Sequence, residues 1–443
     1  MNNTHFPANA LVSEGLRLKV LALCAAYSAS SQSVMPEWFD GDSASFLRSS
    51  SLIVCGSLCR EELRLLACNA KVSAIVDDFC KEPHIFGIPV INSAEWVRRA
   101  RADDSIVSVF LTPGAFGFNF FTRLAFQNNF RTITPLQFQW LVRAAVIPKV
   151  GFVGGMFVYG MEFFDDVIAN IDHLDQIAKI FNDEFSRTTF YSLLLFRLTL
   201  NPNYVANVGV GHGVEAYCPN AYMFNQDFFE LTDNEVYVDC GSFVGQTVER
   251  FIRATDAHFS EIFAFEPSAG NVLKIRERLA GLTKEFLHGL DFRKIKITQK
   301  GLWSVATELP YYRGMNISQI DSAQASNPQS AHFVAAGTLN HLHDYTEEAT
   351  VLQTLPVTTI DIATGGHATF IKLEIEGSEL EALKGAVATI TGSRPKMALS
   401  VYHKAEDIHT IPDFVSALDL GYKFSLRQHT PYYPDATVMY CYR

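Results

Sequence analysis

Val236-Tyr237-Val238-Asp239-Cys240-Gly241-Ser242-Phe243-Val244-Gly245-Gln246-Thr247 is an apolar strand-like run that ends in an acid, two glycines and the start of a helix. Strand, glycine loop and helix in that order are the opening unit of an open parallel α/β sheet, whose strands point their carboxyl ends at a ligand crevice. Gly241 and Gly245 are read here as positions where the backbone approaches a ligand without a Cβ in the way. The loop departs from the dinucleotide form Gly-x-Gly-x-x-Gly, because Phe243 stands where the second glycine would meet a pyrophosphate. That bulk argues against NAD. A tight strand-to-helix turn with no ligand is the plain alternative.

A second apolar run, Ile262 to Phe265, closes on Glu266-Pro267. A carboxylate at the end of the next strand sits where the two hydroxyls of a ribose can donate charge-assisted hydrogen bonds to it. Loop and acid together point to S-adenosylmethionine.

At 443 residues, two or three domains are expected. A composition of 48% hydrophobic and 19% charged residues describes a well-packed protein with large buried sheets. The net charge of −11 comes with scattered Lys and Arg and no basic stripe, so nucleic acid is not expected as a partner. The eight cysteines form no C-x-x-C pair and no zinc spacing with His, so no metal is assigned and a reducing cytoplasm is expected. Arg17 and Lys19 precede a short apolar run, Val20 to Tyr27, but Glu14 lies in the flank, and an ordinary helix is the preferred reading over a signal segment. No run reaches the roughly 18 apolar residues needed to span a bilayer.

Along the chain, residues 1–48 read as a helical lead-in and 49–150 as a small Rossmann-like α/β domain, with strands from Leu52, Val72 and Ile106, a helix from Arg60, and a Gly56-Ser57-Leu58-Cys59 turn. Only one glycine of the nucleotide fingerprint is present there, so docking or structure is preferred over a nucleotide site. Gly151, Gly154, Gly155 and Gly160 mark a joint, and 151–234 read as a helical region that connects, dimerises or caps the following sheet; a homo-oligomer is compatible with it. From 235 to 443 strands are expected at 236–240, 261–265, 295–299, 369–375 and 396–402. Helices are expected near 245–255, 269–281, 378–390 and 411–420, and an antiparallel hairpin from 422–429 and 437–442 closes the chain. A parallel sheet ending in such a hairpin is the class I methyltransferase arrangement.

The segment Phe370-Ile371-Lys372-Leu373-Glu374-Ile375-Glu376-Gly377-Ser378-Glu379 alternates charge inside what should be a buried strand. As a strand it puts Lys372, Glu374 and Glu376 on one face, with the glutamates nearest the reacting methyl group. The structural alternative pairs Lys372 with Glu374 and lets Glu376 cap the helix that follows. Tyr402 and His403 border the same crevice from the end of the next strand, and His403 is a candidate general base. His341, His343 and Asp344 are read as part of a polar substrate lid over 316–350, not as a metal site.

These motifs, with Lys300-Gly301-Leu302-Trp303, Val357-Thr358-Thr359-Ile360-Asp361 and Ser400-Val401-Tyr402-His403-Lys404, follow one another in an order that resembles the FkbM family of S-adenosylmethionine-dependent methyltransferases over roughly the last half of the chain. The resemblance implies O-methylation of an acceptor such as a sugar hydroxyl in a polysaccharide, glycolipid or natural product. It also implies that Asp239, Gly241, Ser242, Phe243, Gly245 and Thr247 line the methionine part of the cofactor, Glu266 and Pro267 the ribose, and Gly301, Leu302 and Trp303 the adenine. Lys372 and Tyr402 are expected at the acceptor. The family usually carries Asp where Glu374 stands. Glu374, Glu376 or His403 would take the acceptor proton, directly or by holding a divalent cation. Two rivals remain at this level: a methyltransferase-like binding module without turnover, and an oxidoreductase or epimerase acting through the N-terminal domain.

Overall fold

The computed structural model describes residues 12–29, 51–57, 60–111, 115–133, 137, 162–209, 223–224, 227–228, 230–282, 285–286, 289–313, 331–333, 351–430 and 436–443. The glycine-rich joint at 151–160 and the His341, His343 and Asp344 cluster lie outside them.

The N-terminal sheet is built from β1 (Ser51–Cys55), β2 (Val72–Val76), β3 (His84–Ile85), β4 (Ile88–Ile91), β5 (Ile106–Phe110) and β6 (Arg131–Ile133), in the order β3-β4-β2-β1-β5-β6. Its pairings are parallel apart from the β3–β4 hairpin. The central strands are apolar on both faces because helices such as Arg60–Asn69 and Ser93–Ala102 run between them, the requirement of a parallel sheet covered on both sides.

The C-terminal sheet begins with β7 (Val236–Cys240), β8 (Glu261–Phe265) and β9 (Ile295–Thr298). A four-stranded insertion follows: β10 (Gly301–Leu302), β11 (Thr307–Arg313), β12 (Ala331–Phe333) and β13 (Val351–Thr358). The stretch 316–350, expected as a polar lid, thus holds the strand segment β12, and Thr307–Tyr312 of β11 pair with β13 although little in their sequence alternates. The main sheet resumes with β14 (Phe370–Leu373), β15 (Lys396–Ser400), β16 (Lys423–Gln428) and β17 (Thr437–Tyr442), giving β16-β17-β15-β14-β7-β8-β9. The last strand slots between β15 and β16, antiparallel to both. The chain starts at β7, moves outward through β8 and β9, and returns to β14 on the other side. The switch point therefore lies between the carboxyl ends of β7 and β14.

Three expectations are corrected at the strand ends. The strand expected at 369–375 stops at Leu373, because Glu376 (φ 55°) and Gly377 (φ 92°) turn left-handed. The strand expected to 402 stops at Ser400, and the helix expected over 378–390 is two, Glu379–Lys384 and Val387–Ser393. The break falls at Gly385, where a Cβ would lie 2.2 Å from the Trp303 carbonyl oxygen.

Helix Glu184–Thr199 is buried along most of its length and covers the β16 edge. Asn182 exchanges backbone and side-chain hydrogen bonds with Phe424, Ser186 Oγ accepts from Leu426 N at 2.9 Å, and Asp183 accepts from Ser425 Oγ at 2.7 Å. An edge strand whose free backbone groups are met this way is closed to pairing with another chain. The N-terminal helix Val12–Ala29 packs against this same layer, with Arg17 bonded to Asp175 at 2.6 Å and Ser13 N to Glu184 at 3.1 Å. It belongs spatially to the C-terminal half of the molecule.

Candidate active site

Four loops meet at the carboxyl ends of β7, β8, β14 and β15: 241–245, 266–268, 374–379 and 401–404. The first owes its shape to what lies beneath it. Lys372, 1% exposed, donates from Nζ to Gly241 O at 2.6 Å and to Cys240 O at 3.2 Å, and lies 3.1 Å from Asp239 Oδ1. Thr247 Oγ1 donates to Asp239 Oδ2 at 2.5 Å. Burial alone would lower the pKa of the Lys372 amine, but Asp239 and Glu374 outweigh it and raise it. Lys372 is thus a fixed cation under the loop, not a group facing an acceptor.

The glycines act differently from their reading in the sequence. At Gly241 (φ 88°) a Cβ would stand 1.9 Å from the Glu374 carbonyl oxygen, so the residue is small in order to pass the backbone that leaves β14. At Gly245 (φ 83°) a Cβ would press on Ile275 at 3.3 Å. Both positions serve the seam between elements. Phe243 takes a left-handed φ of 48°, and Ser242 is buried, its N–H bonded to Phe265 O at 2.9 Å.

Glu266 is 6% exposed at the end of β8. Its Oε1 accepts from Ser268 N at 2.9 Å and Asn271 Nδ2 at 3.2 Å. Burial pushes its pKa up to about 7, with the hydrogen bonds from Ser268, Asn271 and the Phe243 backbone pulling the other way. The local donors therefore do not offset desolvation of the charge. Further hydroxyl donors would complete it, which is the chemistry of a ribose.

Across the switch point, Tyr402 Oη donates to Glu374 Oε1 at 3.1 Å, and Lys372 lies 3.8 Å from Glu374 Oε2. Glu376, with 43% of its side chain exposed, lies 3.7 Å from His403 Nε2. His403 Nδ1 lies 2.8 Å from Glu379 Oε1, which also accepts from Ile375 N at 2.8 Å. Burial would lower the pKa of His403, but Glu379 and then Glu376 raise it to about 10. His403 is thus held between two carboxylates, an arrangement that favours the protonated ring. Behind it, burial and the Glu379 charge push Asp407 up to about 8.

Gly301 and Leu302 are buried where β10 pairs with β13, and Leu302 belongs to the hydrophobic core; Trp303 is partly exposed, its N–H bonded to Thr358 O at 2.9 Å. Asp361, from the Val357-Thr358-Thr359-Ile360-Asp361 motif, accepts from Ala388 N and Thr389 N and so caps the helix there. Asn271, Glu379 and Asp407 went unnoticed as site residues in the sequence. Each is an ordinary helix residue by pattern; Asn271 and Asp407 meet Glu266 and His403 from the helices that follow them directly, whereas Glu379 reaches His403 only through the tertiary arrangement.

Residues 239–424, less than half the chain, match the family model described as the methyltransferase FkbM domain. The chain carries an FkbM methyltransferase domain. It is accordingly a methyltransferase, with S-adenosylmethionine as its methyl donor. The fold agrees: the FkbM methyltransferase from Methylobacillus flagellatus KT aligns over 97% of this chain and 100% of its own, at 22% identity and a TM-score of 0.65. Fibrillarin from Aeropyrum pernix, solved with S-adenosyl-L-methionine bound, aligns over 51% of this chain and 76% of its own at 10% identity and a TM-score of 0.26. An rRNA methylase from Streptococcus thermophilus aligns over 55% of this chain and 93% of its own at 12% identity and a TM-score of 0.26. Likenesses that partial carry no functional argument. No curated protein matches the chain. Among the described residues, no helix is long and apolar enough to cross a membrane.

Proposed function

We propose that residues 235–443 methylate a hydroxyl of a sugar or glycoconjugate. The observation that carries this reading is the pair of acidic groups on opposite sides of the switch point: Glu266 on the β8 side and Glu376 on the β14 side. Glu266, with Ser242 bonded to the neighbouring Phe265, fits the hydroxyl-rich part of the adenosyl group. When bound, S-adenosylmethionine supplies a methyl group on a sulfonium sulfur.

The rest is work for the protein's own residues. An alcohol must lose its proton as it gains the methyl group. Of the three candidate bases, His403 is held protonated and Glu374 is occupied by Tyr402 and near Lys372. Glu376 is therefore assigned as the base, an exposed carboxylate held in a left-handed conformation (φ 55°) that non-glycine residues rarely adopt. His403, fixed by Glu379, positions it. Tyr402 and Glu374 form the adjoining wall, and Lys372 with Asp239 keeps the floor rigid. Alignment of the acceptor should contribute more to rate than proton transfer does.

Transfer of labelled methyl groups from S-adenosylmethionine to a panel of mono- and oligosaccharides tests the assignment. The reading expects label on a sugar oxygen with the wild type, and a fall of roughly 10²- to 10⁴-fold in kcat for Glu376→Gln with cofactor affinity unchanged. Label on nitrogen, carbon or a nucleic acid with no sugar product would overturn it.

A further inference from the structure

Beyond the 401–404 loop, helix Glu162–Ile177 of the covering layer packs against helix Asp407–Ala417 of the catalytic domain. His409 and Asp413 lie one turn apart on the second helix, so their side chains share a face. His173 comes to them from the first, 240 residues away from Asp413 in sequence. Its Nε2 lies 2.6 Å from Asp413 Oδ2, and the two imidazole rings stand 5.5 Å apart at 87°. One donor atom from each of the three residues falls within 4.8 Å of the others.

We propose that His173, His409 and Asp413 form a binding site for a divalent transition-metal ion of the zinc type, which clips the covering helices to the catalytic sheet. Two nitrogens and one carboxylate oxygen are a donor set that suits such an ion and leave one position for water. Donors around a tetrahedral zinc stand about 3.3 Å apart. Drawing the three together needs only a widening of the His173–Asp413 contact and a contraction of the rest. The site has a way in and a support. His173 and Asp413 are 45% and 42% exposed at their side chains and can rotate from solvent, whereas His409 is held from within. Asp166, whose Oδ1 lies 3.0 Å from His409 Nε2, orients that ring. Carboxylates in this place fix the histidine of many metal sites. Asp166 is in turn 3.6 Å from the buried Arg197, whose Nη1 donates to Ala405 O at 2.8 Å, so the support reaches the same helix junction.

The test is a calorimetric titration of the full chain, free of any affinity tag, with ZnCl₂. It is repeated on His173→Ala and Asp413→Ala, with His84→Ala in the N-terminal sheet as a control for binding elsewhere; circular dichroism verifies that each is folded. One saturable site of micromolar affinity is expected, weakened at least about tenfold in either site variant and unchanged in the control. Zinc should also raise the melting temperature of the wild type but not of His173→Ala. Absence of saturable binding below millimolar zinc, or binding that survives both substitutions undiminished, would overturn the proposal.

Discussion

In the N-terminal sheet β1 is followed by Gly56 and β2 by Asp77; in the catalytic sheet β7 is followed by Gly241 and β8 by Glu266. The two are built alike, with a glycine of positive φ after the first strand (111° and 88°) and an acid after the second. Their acids differ in what already surrounds them. Asp77 Oδ2 accepts from Ser57 Oγ, and Oδ1 accepts from Phe79 N at 2.8 Å and Cys80 N at 2.9 Å, so one oxygen closes a local turn and the other ties the end of β2 to the loop after β1. Glu266 is longer by one methylene and more deeply buried; it too accepts three local hydrogen bonds, from Ser268, Asn271 and the Phe243 backbone, yet burial pushes its pKa up to about 7. We read Glu266 as the binding group because the fold buries it more deeply than its local hydrogen bonds offset. The same topology with a satisfied acid is scaffold.

The sharpest break in the likeness is at the glycines. Gly241→Ala must displace the Glu374 carbonyl, only 1.9 Å from the new Cβ, in addition to adopting a left-handed backbone, and should destabilise the protein by more than about 4 kcal/mol in urea unfolding. Gly87→Ala in the N-terminal sheet meets open space at φ 77° and should lose about 1 kcal/mol. Equal effects would show that the β7–β14 seam is looser than described.

Lys372→Met tests the floor of the site. It leaves Asp239 buried without its cation and is expected to cost about 3–5 kcal/mol, whereas Ser57→Ala, which removes one hydrogen bond to Asp77, should cost about 1 kcal/mol. A near-neutral Lys372→Met would mean that the Lys372–Asp239 contact contributes little to the floor of the site.

Glu266 also makes a pH prediction with two opposite signs. Its folded pKa stands above the ordinary 4.5, so the folded state holds the extra proton between pH 4.5 and about 7, and the stability of the ligand-free protein falls as pH rises through that window, by about 3 kcal/mol in all. Cofactor binding needs the ionised form and should move the other way, weakening about tenfold from pH 8 to pH 6. Urea midpoints and titrations across that range check both, and Glu266→Gln should flatten both.

Much of this was legible in the sequence where local pattern and tertiary demand coincide. The β7 strand and loop, the β8 strand closing on Glu266, and the terminal hairpin all announce themselves through apolar runs, glycines and a proline-rich turn. The β14 end did not, because the charge alternation of Lys372, Glu374 and Glu376 imitates a strand face. The left-handed Glu376 and Gly377 break that face, and Lys372 turns beneath the loop. Leu302 is a motif residue that serves the core. The pairing of β11 with β13 and the meeting of His173 with His409 depend on contacts across long stretches of sequence, for which no local spacing exists.

We propose that Glu266, and not its topological counterpart Asp77, holds the methyl donor. Calorimetric titration of the full chain with S-adenosylmethionine at pH 8 tests it in three samples: wild type, Glu266→Gln and Asp77→Asn. Micromolar binding is expected in the wild type, with unchanged binding in Asp77→Asn and a loss of roughly 10- to 150-fold in Glu266→Gln, as for hydrogen bonds to a charged group. Wild-type affinity retained in Glu266→Gln would contradict it.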